Sequence, residues 1–146
     1  MKKNFFIIMS ILLIATFIAI YTVYNYRIQM QEAQKINKEY EQYKDINLLG
    51  TQLISLINRT IDYNEKNEIQ KDENNKFYIE NDENSIKIYI NFIYKEETKT
   101  ILMESIASNG SEAFVSNYST AKFKCTNIEY HEKTKSVKSL TFEEIQ

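Results

Sequence analysis

Residues 5–24, FFIIMSILLIATFIAIYTVY, run for twenty positions without a charge, with Ser10, Thr16 and Thr22 as the only polar side chains among aliphatic and aromatic ones. A helix rising about 1.5 Å per residue crosses roughly 30 Å of hydrocarbon in that length, so the run fits a transmembrane helix. Lys2 and Lys3 precede it, and Tyr21, Tyr24 and Tyr26 gather at its far end, where amphipathic rings favour the membrane–water interface. The competing reading is a cleaved signal peptide. Its apolar core is typically about 7–15 residues, and no small-x-small site precedes a polar stretch here, so the run reads as an uncleaved anchor. Orientation rests on Lys2 and Lys3 against Arg27, Lys35 and Lys38, a near balance. A short basic N-terminus ahead of a first apolar segment places it in the cytoplasm and the C-terminal domain outside, in a single-pass protein of the cell membrane.

The boundary falls after Tyr26, giving a cytoplasmic tip and anchor over 1–26 and one soluble domain over 27–146. About 120 residues suffice for one modest core. Without Lys2 and Lys3, 16 basic residues stand against 20 acidic ones, a surface that repels phosphate backbones and excludes nucleic acid as a partner. The single cysteine, Cys125, closes no intrachain disulfide, so packing must hold the domain together.

Neither Gly nor Pro interrupts residues 27–44, and Met30, Ala33, Ile36, Tyr40 and Tyr43 recur every three or four positions. The anchor therefore continues as an amphipathic helix whose narrow stripe packs on the domain rather than forming a coiled-coil seam. A second helix follows, with Leu49, Leu53, Leu56, Ile57 and Ile61 on one side and Gln52, Asn58, Arg59 and Asp62 on the other. Gly50 in its first turn weakens the helical pattern. Residues 62–75, rich in Asn, Glu, Lys and Asp, read as a solvated linker.

Alternating apolar residues then predict three hairpins with four-residue loops. Ile79 with Ile86 and Phe77 with Ile88 leaves Asn81-Asp82-Glu83-Asn84 as a loop. Phe92 with Ile101 and Ile90 with Met103 leaves Lys95-Glu96-Glu97-Thr98. Ile128 with Val137, Cys125 with Leu140 and Phe123 with Phe142 leaves His131-Glu132-Lys133-Thr134. In the last hairpin both strands change apolar parity, which predicts a bulge or face switch near Asn127 and Lys138. Between the hairpins, residues 104–119 suggest a helical turn, a stop at Asn109-Gly110 and a short helix capped by Ser111. If residues 101–108 were all helix, the third strand would be lost. The fold class is α+β, with a transmembrane helix continuing into an amphipathic helix, a second helix and a four- to five-stranded antiparallel sheet.

No catalytic, cofactor-binding or metal-ligating residue is assigned. His131, the lone histidine, lies among turn residues without a nucleophile or orienting partner nearby in sequence, and reads as an exposed hairpin tip. Cys125 shares a predicted apolar face with Phe123 and reads as buried and structural. The acidic stretches Asp72-Glu73-Asn74-Asn75 and Asn81-Asp82-Glu83-Asn84 lack the alternating spacing, central Gly and terminal Glu of a calcium-binding hand, and read as solvated turns. Two glycines, Gly50 and Gly110, build no phosphate-cradling loop.

An apolar N-terminal helix continuing into an amphipathic half, then a sheet, resembles the architecture of type IV pilins and pseudopilins. Asn4 precedes Phe5 and Met9 stands fifth from Phe5, where their processing signal has a small residue and Glu. In wording, Gly50-Thr51-Gln52-Leu53-Ile54, residues 81–88 (NDENSIKI) and Phe123-Lys124-Cys125-Thr126 look like small anchored proteins of low-GC Gram-positive bacteria. These features imply a non-enzymatic, membrane-anchored protein acting by contact with a protein partner or by self-association, as in a pilin-like envelope assembly. The alternative is a sensory module binding a small ligand or peptide at a sheet edge. A concave apolar pocket with convergent polar groups would distinguish it.

Overall fold

The structure is a computed structural model that describes residues 2–94 and 97–145. It divides into two compact units, Met1–Glu32 and Ala33–Gln146. Helix α1 (Lys2–Glu41) is unbroken, as the absence of Gly and Pro predicts. Its most apolar 18-residue window has a mean hydropathy of 2.6, and none of that window is buried. One N-terminal helix is thus long and apolar enough to cross a membrane.

In the second unit α1 ends at a short 3₁₀ turn (Gln42–Lys44), followed by β1 (Asn47–Leu49) and α2 (Gly50–Lys66). Ala33 and Tyr40 are buried, and Ile36 and Tyr43 pack against the core, so the predicted stripe does face the domain. The Tyr40 hydroxyl lies 3.2 Å from Thr60 Oγ1 on α2. Burial pushes that phenol up to about 12. On α2, Leu53, Leu56 and Ile57 are buried as their spacing predicts.

The remaining elements are β2 (Lys87–Tyr94), β3 (Glu97–Leu102), α3 (Met103–Ser108), α4 (Ser111–Tyr118), β4 (Lys122–Tyr130) and β5 (Val137–Ile145). They complete a five-stranded sheet in the order β1-β4-β5-β2-β3. The class is α+β as predicted, but the sheet is mixed, because the central strands β2 and β5 run parallel. The predicted first hairpin is absent. Tyr78 is buried and Ile79 is 49% exposed, the reverse of the expected parity, and Tyr78 forms an isolated β-bridge with Lys71 in place of the expected strand pairing. β2 pairs instead with β5 and β3.

The second hairpin forms two residues out of the predicted register, with Ile90 opposite Ile101 and Phe92 opposite Lys99. A two-residue slip preserves every side chain's face, so apolar parity could not detect it. Glu97 and Thr98 belong to β3, and the Lys95-Glu96 part of the predicted loop lies outside the described residues. Met103 begins α3 rather than pairing, and Ile101 and Leu102 are strand. In the third hairpin Ile128 pairs with Leu140 and Cys125 with Phe142, with register shifts at Thr126 and Lys138. The parity change therefore located the two bulges, though the strand register is offset from the predicted one.

Gly110, at φ +86°, separates α3 from α4 in a backbone conformation that suits glycine, so Ser111 begins α4 and is not its cap. α4 lays Phe114 and Tyr118 on Phe92 and Phe123, with ring centroids 4.8–6.3 Å apart where these helix rings meet Phe92. The inward strand residues Leu48, Ile88, Ile90, Phe92, Phe123, Cys125, Leu140 and Phe142 are buried in one core.

Candidate functional site

His131 is 2% exposed, not a solvated tip. The turn spans six residues instead of four, and its first position folds inward. His131 Nε2 lies 2.8 Å from the Ser85 carbonyl, its N–H donates to Ser136 O and its own carbonyl accepts from Lys135 N–H. The same turn is fastened to residues 81–85 by Lys133 on Glu83 and by Thr134 and Ser136 hydroxyls donating to Glu83 O. From α1, Asn37 Nδ2 donates to Lys135 O at 2.9 Å and Asn37 Oδ1 accepts Val137 N–H at 2.8 Å. A second amide, on Asn64, holds both polar groups of Ile86 at 2.7 and 3.0 Å. These two amides satisfy backbone groups at or just before the starts of the parallel strands. Asn64 lay within the segment read as a solvated linker; α2 extends to Lys66 and buries it completely.

Burial lowers the His131 pKa below its ordinary 6.5, opposed by the Ser85 carbonyl; Lys138 lowers it further, while Glu80 and Asp82 raise it. The folded domain therefore favours neutral imidazole, whereas the unfolded chain takes up a proton near pH 6.5. Stability from this group is fully present above that pH and declines as pH falls through the folded pKa. Chemical denaturation between pH 7 and 5 should show a slope of at most about 1.4 kcal/mol per pH unit that His131→Gln removes. An unchanged slope in the variant would assign the effect elsewhere.

Cys125 is buried and free, as expected, donating weakly to Asn127 O at 3.5 Å across the Thr126 bulge. Burial raises its pKa, which keeps the thiol protonated and a poor nucleophile. It borders an open cleft of about 510 Å³ with Lys44, Asn47, Lys124, Asn127 and Tyr130. This open cleft, lined about equally by polar and apolar surface, differs from the concave, predominantly apolar pocket that would mark a small-ligand module. Asp72 Oδ1 accepts the N–H groups of Lys76 and Phe77, and those bonds hold its carboxyl below the usual range. Asn81 Oδ1 likewise accepts three N–H groups, from Glu83, Asn84 and Ser85. Both acidic stretches use their side chains to build turns. Among the described residues no three His, Cys, Asp or Glu side chains cluster as a metal set.

Sequence reasoning missed a buried ion pair. Lys87 Nζ and Glu104 Oε1 are 2.7 Å apart, with side chains 6% and 4% exposed. Tyr78 N–H also donates to Glu104 Oε1, while Oε2 is buried with no hydrogen-bond partner among the described residues. Nearby, Glu80 accepts from the Tyr89 hydroxyl and pairs with Lys138, so residues 78–80 cover one end of the sheet's outer side.

Beyond that cover, the outer side is open. Backbone pairing places Asn47, Lys124, Glu143, Asn91 and Thr100 in one row across the five strands. Two residues along each strand, Leu49, Lys122 and Ile145 are paired in sequence across β1, β4 and β5, and Ile93 with Thr98 across β2 and β3, which continues the register as a second row. None of these ten is buried, whereas the inward positions between them include buried Leu48, Phe123 and Phe92. A hollow of about 310 Å³ lies on this face between Ile93, Lys124, Glu143 and Ile145.

The class so defined is an α+β domain that follows an apolar helix and has one open sheet face. No protein-family model, curated protein or solved structure matches the chain.

Proposed function

We propose that this chain is a single-pass membrane-anchored protein whose extracytoplasmic α+β domain works without catalysis, by protein–protein contact in a pilin-like envelope assembly. The observation that carries the reading is the wholly unburied apolar window of α1, which has no use in water but suits a bilayer. Three features support a binding role over chemistry. The lone histidine is tied up in holding a turn, the lone thiol is buried, and the sheet keeps an uncovered face. As in pilins, the part of α1 after the apolar segment contributes to the core, through Ala33 and Tyr40.

The test is protease accessibility of a C-terminally tagged chain in intact cells, spheroplasts and lysed membranes. The expected result is digestion of the domain by protease added outside, in a chain that fractionates with membranes at its full 17.4 kDa. Digestion only after lysis would place the domain in the cytoplasm and defeat the envelope reading. Release of the chain from membranes by alkaline carbonate would defeat the anchor.

A further inference from the structure

We propose that the open sheet face is a self-association surface, and that its occupant is the same face of a second copy of this chain. The inference deepens the interaction reading and rests on it. It comes from the pattern of side chains across the two exposed rows, taken in the strand order β1-β4-β5-β2-β3.

Two sheets related by a two-fold axis that lies between β4 and β5, parallel to them and in the plane of contact, bring β4 of one copy over β5 of the other. The same axis brings β1 over β2. Rows are preserved, because an axis along the strands exchanges strands without shifting residues along them. In the first row Lys124 then faces Glu143 of the second copy, and Asn47 faces Asn91 of the second copy. In the second row Leu49 faces Ile93 of the second copy, and the aliphatic stem of Lys122 faces Ile145 of the second copy. The two-fold repeats each match, so the face is complementary to itself: two opposite-charge pairs, two amide pairs and four apolar contacts. Such isologous pairing is the commonest route to a soluble homodimer. Aligned sheets pack about 10 Å apart with strand directions within about 30°, which the Lys and Glu side chains span.

Lys124 and Glu143 strengthen the case by what they leave undone. They stand directly opposite each other on β4 and β5, yet no ion pair joins them among the described residues. Lys138, on the same pair of strands, is already committed to Glu80. The face thus holds a cation and an anion side by side, both available to a partner, bordered by Ile93, Ile145 and Leu49. Another axis position would lose the match. Between β5 and β2 it would set Glu143 over Asn91 and leave Lys124 over Thr100.

The experiment is sedimentation of the full-length chain in a nonionic detergent, over a concentration series to about 100 µM, a range that covers interfaces of modest size. The wild type is expected to reach twice its 17.4 kDa protein mass. Lys124→Glu and Glu143→Lys, each checked for a native circular dichroism spectrum, should each weaken the dimer at least about tenfold, since each sets like charges against one another twice. The combined variant should return to within about threefold of wild type. Raising salt should weaken the wild-type dimer without any substitution, a readout that stands if a variant misfolds. A wild-type monomer, single reversals without effect, a combined variant that stays dissociated, or a salt-insensitive dimer would each overturn the proposal. Pairing through α1 alone would show as indifference to both reversals. None of these outcomes changes protease accessibility, so a failed self-pairing is distinguishable from a failed envelope reading.

Discussion

Glu104→Ala should lower the unfolding free energy by about 3–5 kcal/mol, because it leaves the Lys87 ammonium buried without its partner. For a unit of this size that corresponds to a fall in Tm of about 10–20 °C, measurable by tyrosine near-ultraviolet circular dichroism of the full-length chain in detergent. The loss has two sources. Lys87 Nζ sits 2.7 Å from Glu104 Oε1 in a site that leaves only 6% of the lysine side chain exposed, and Tyr78 N–H loses the acceptor that holds residues 78–80 over the sheet. The pair itself is not an efficient source of stability, since desolvating two charges offsets most of their attraction. Glu104 Oε2, buried without a hydrogen-bond partner among the described residues, adds to that inefficiency. The combined variant Lys87→Met, Glu104→Leu is therefore expected to recover most of the loss. If Glu104→Ala alone were neutral, the pair would have to be hydrated, and the cover over that end of the sheet would not be tight.

The parts of this fold legible in sequence are those encoded by local periodicity. The apolar run and stripe gave α1, the spacing of Leu53, Leu56 and Ile57 gave α2, and the broken alternation in β4 and β5 gave the bulges at Thr126 and Lys138. What stayed hidden depends on partners far along the chain. Antiparallel pairing of residues 76–80 with β2 looked as good on apolar parity as the parallel pairing with β5 that forms. What favours the latter includes polar satisfaction: Asn64 reaches 22 residues to Ile86, Asn37 reaches 98 and 100 residues to the turn before β5, and His131 reaches 46 back to Ser85. A composition rich in Asn and Lys makes any one such residue look like a solvated surface. Lys87, between Ile86 and Ile88, was the visible irregularity, but only the fold shows that Glu104 comes beside it. The docking face is legible only after strand order is known, because Lys124 and Glu143 are ordinary outward charges until β4 and β5 are neighbours.

Gly50→Ala is expected to destabilise the domain by about 3 kcal/mol, against the helix propensity that favours alanine over glycine by about 1 kcal/mol. The sequence alone reads Gly50 as a weakness at the start of α2. In the fold it is the point where α2 meets the end of α4: a Cβ there would lie 1.9 Å from the Tyr118 carbonyl oxygen and 2.7 Å from its carbon. Both atoms are backbone, so no rotamer relieves the contact. The two chain segments must separate, straining the bond from Gly50 N–H to Ala121 O at 3.0 Å. Gly110→Ala provides the contrast, since nothing lies within 4 Å of its Cβ and only the φ of +86° opposes it. That change should cost about 1 kcal/mol. Denaturant midpoints of the two variants should therefore rank Gly50→Ala well below Gly110→Ala, and a reversed order would mean that α2 and α4 do not approach so closely. The contact matters beyond stability, because α4 holds Tyr118 4.8 Å from the Phe92 ring, and Phe92 and Phe123 back the strands that carry Ile93, Lys122 and Lys124 on the open side. Gly50, bonded to Leu49 at the edge of that face, thus helps to set the rigidity with which the face is presented.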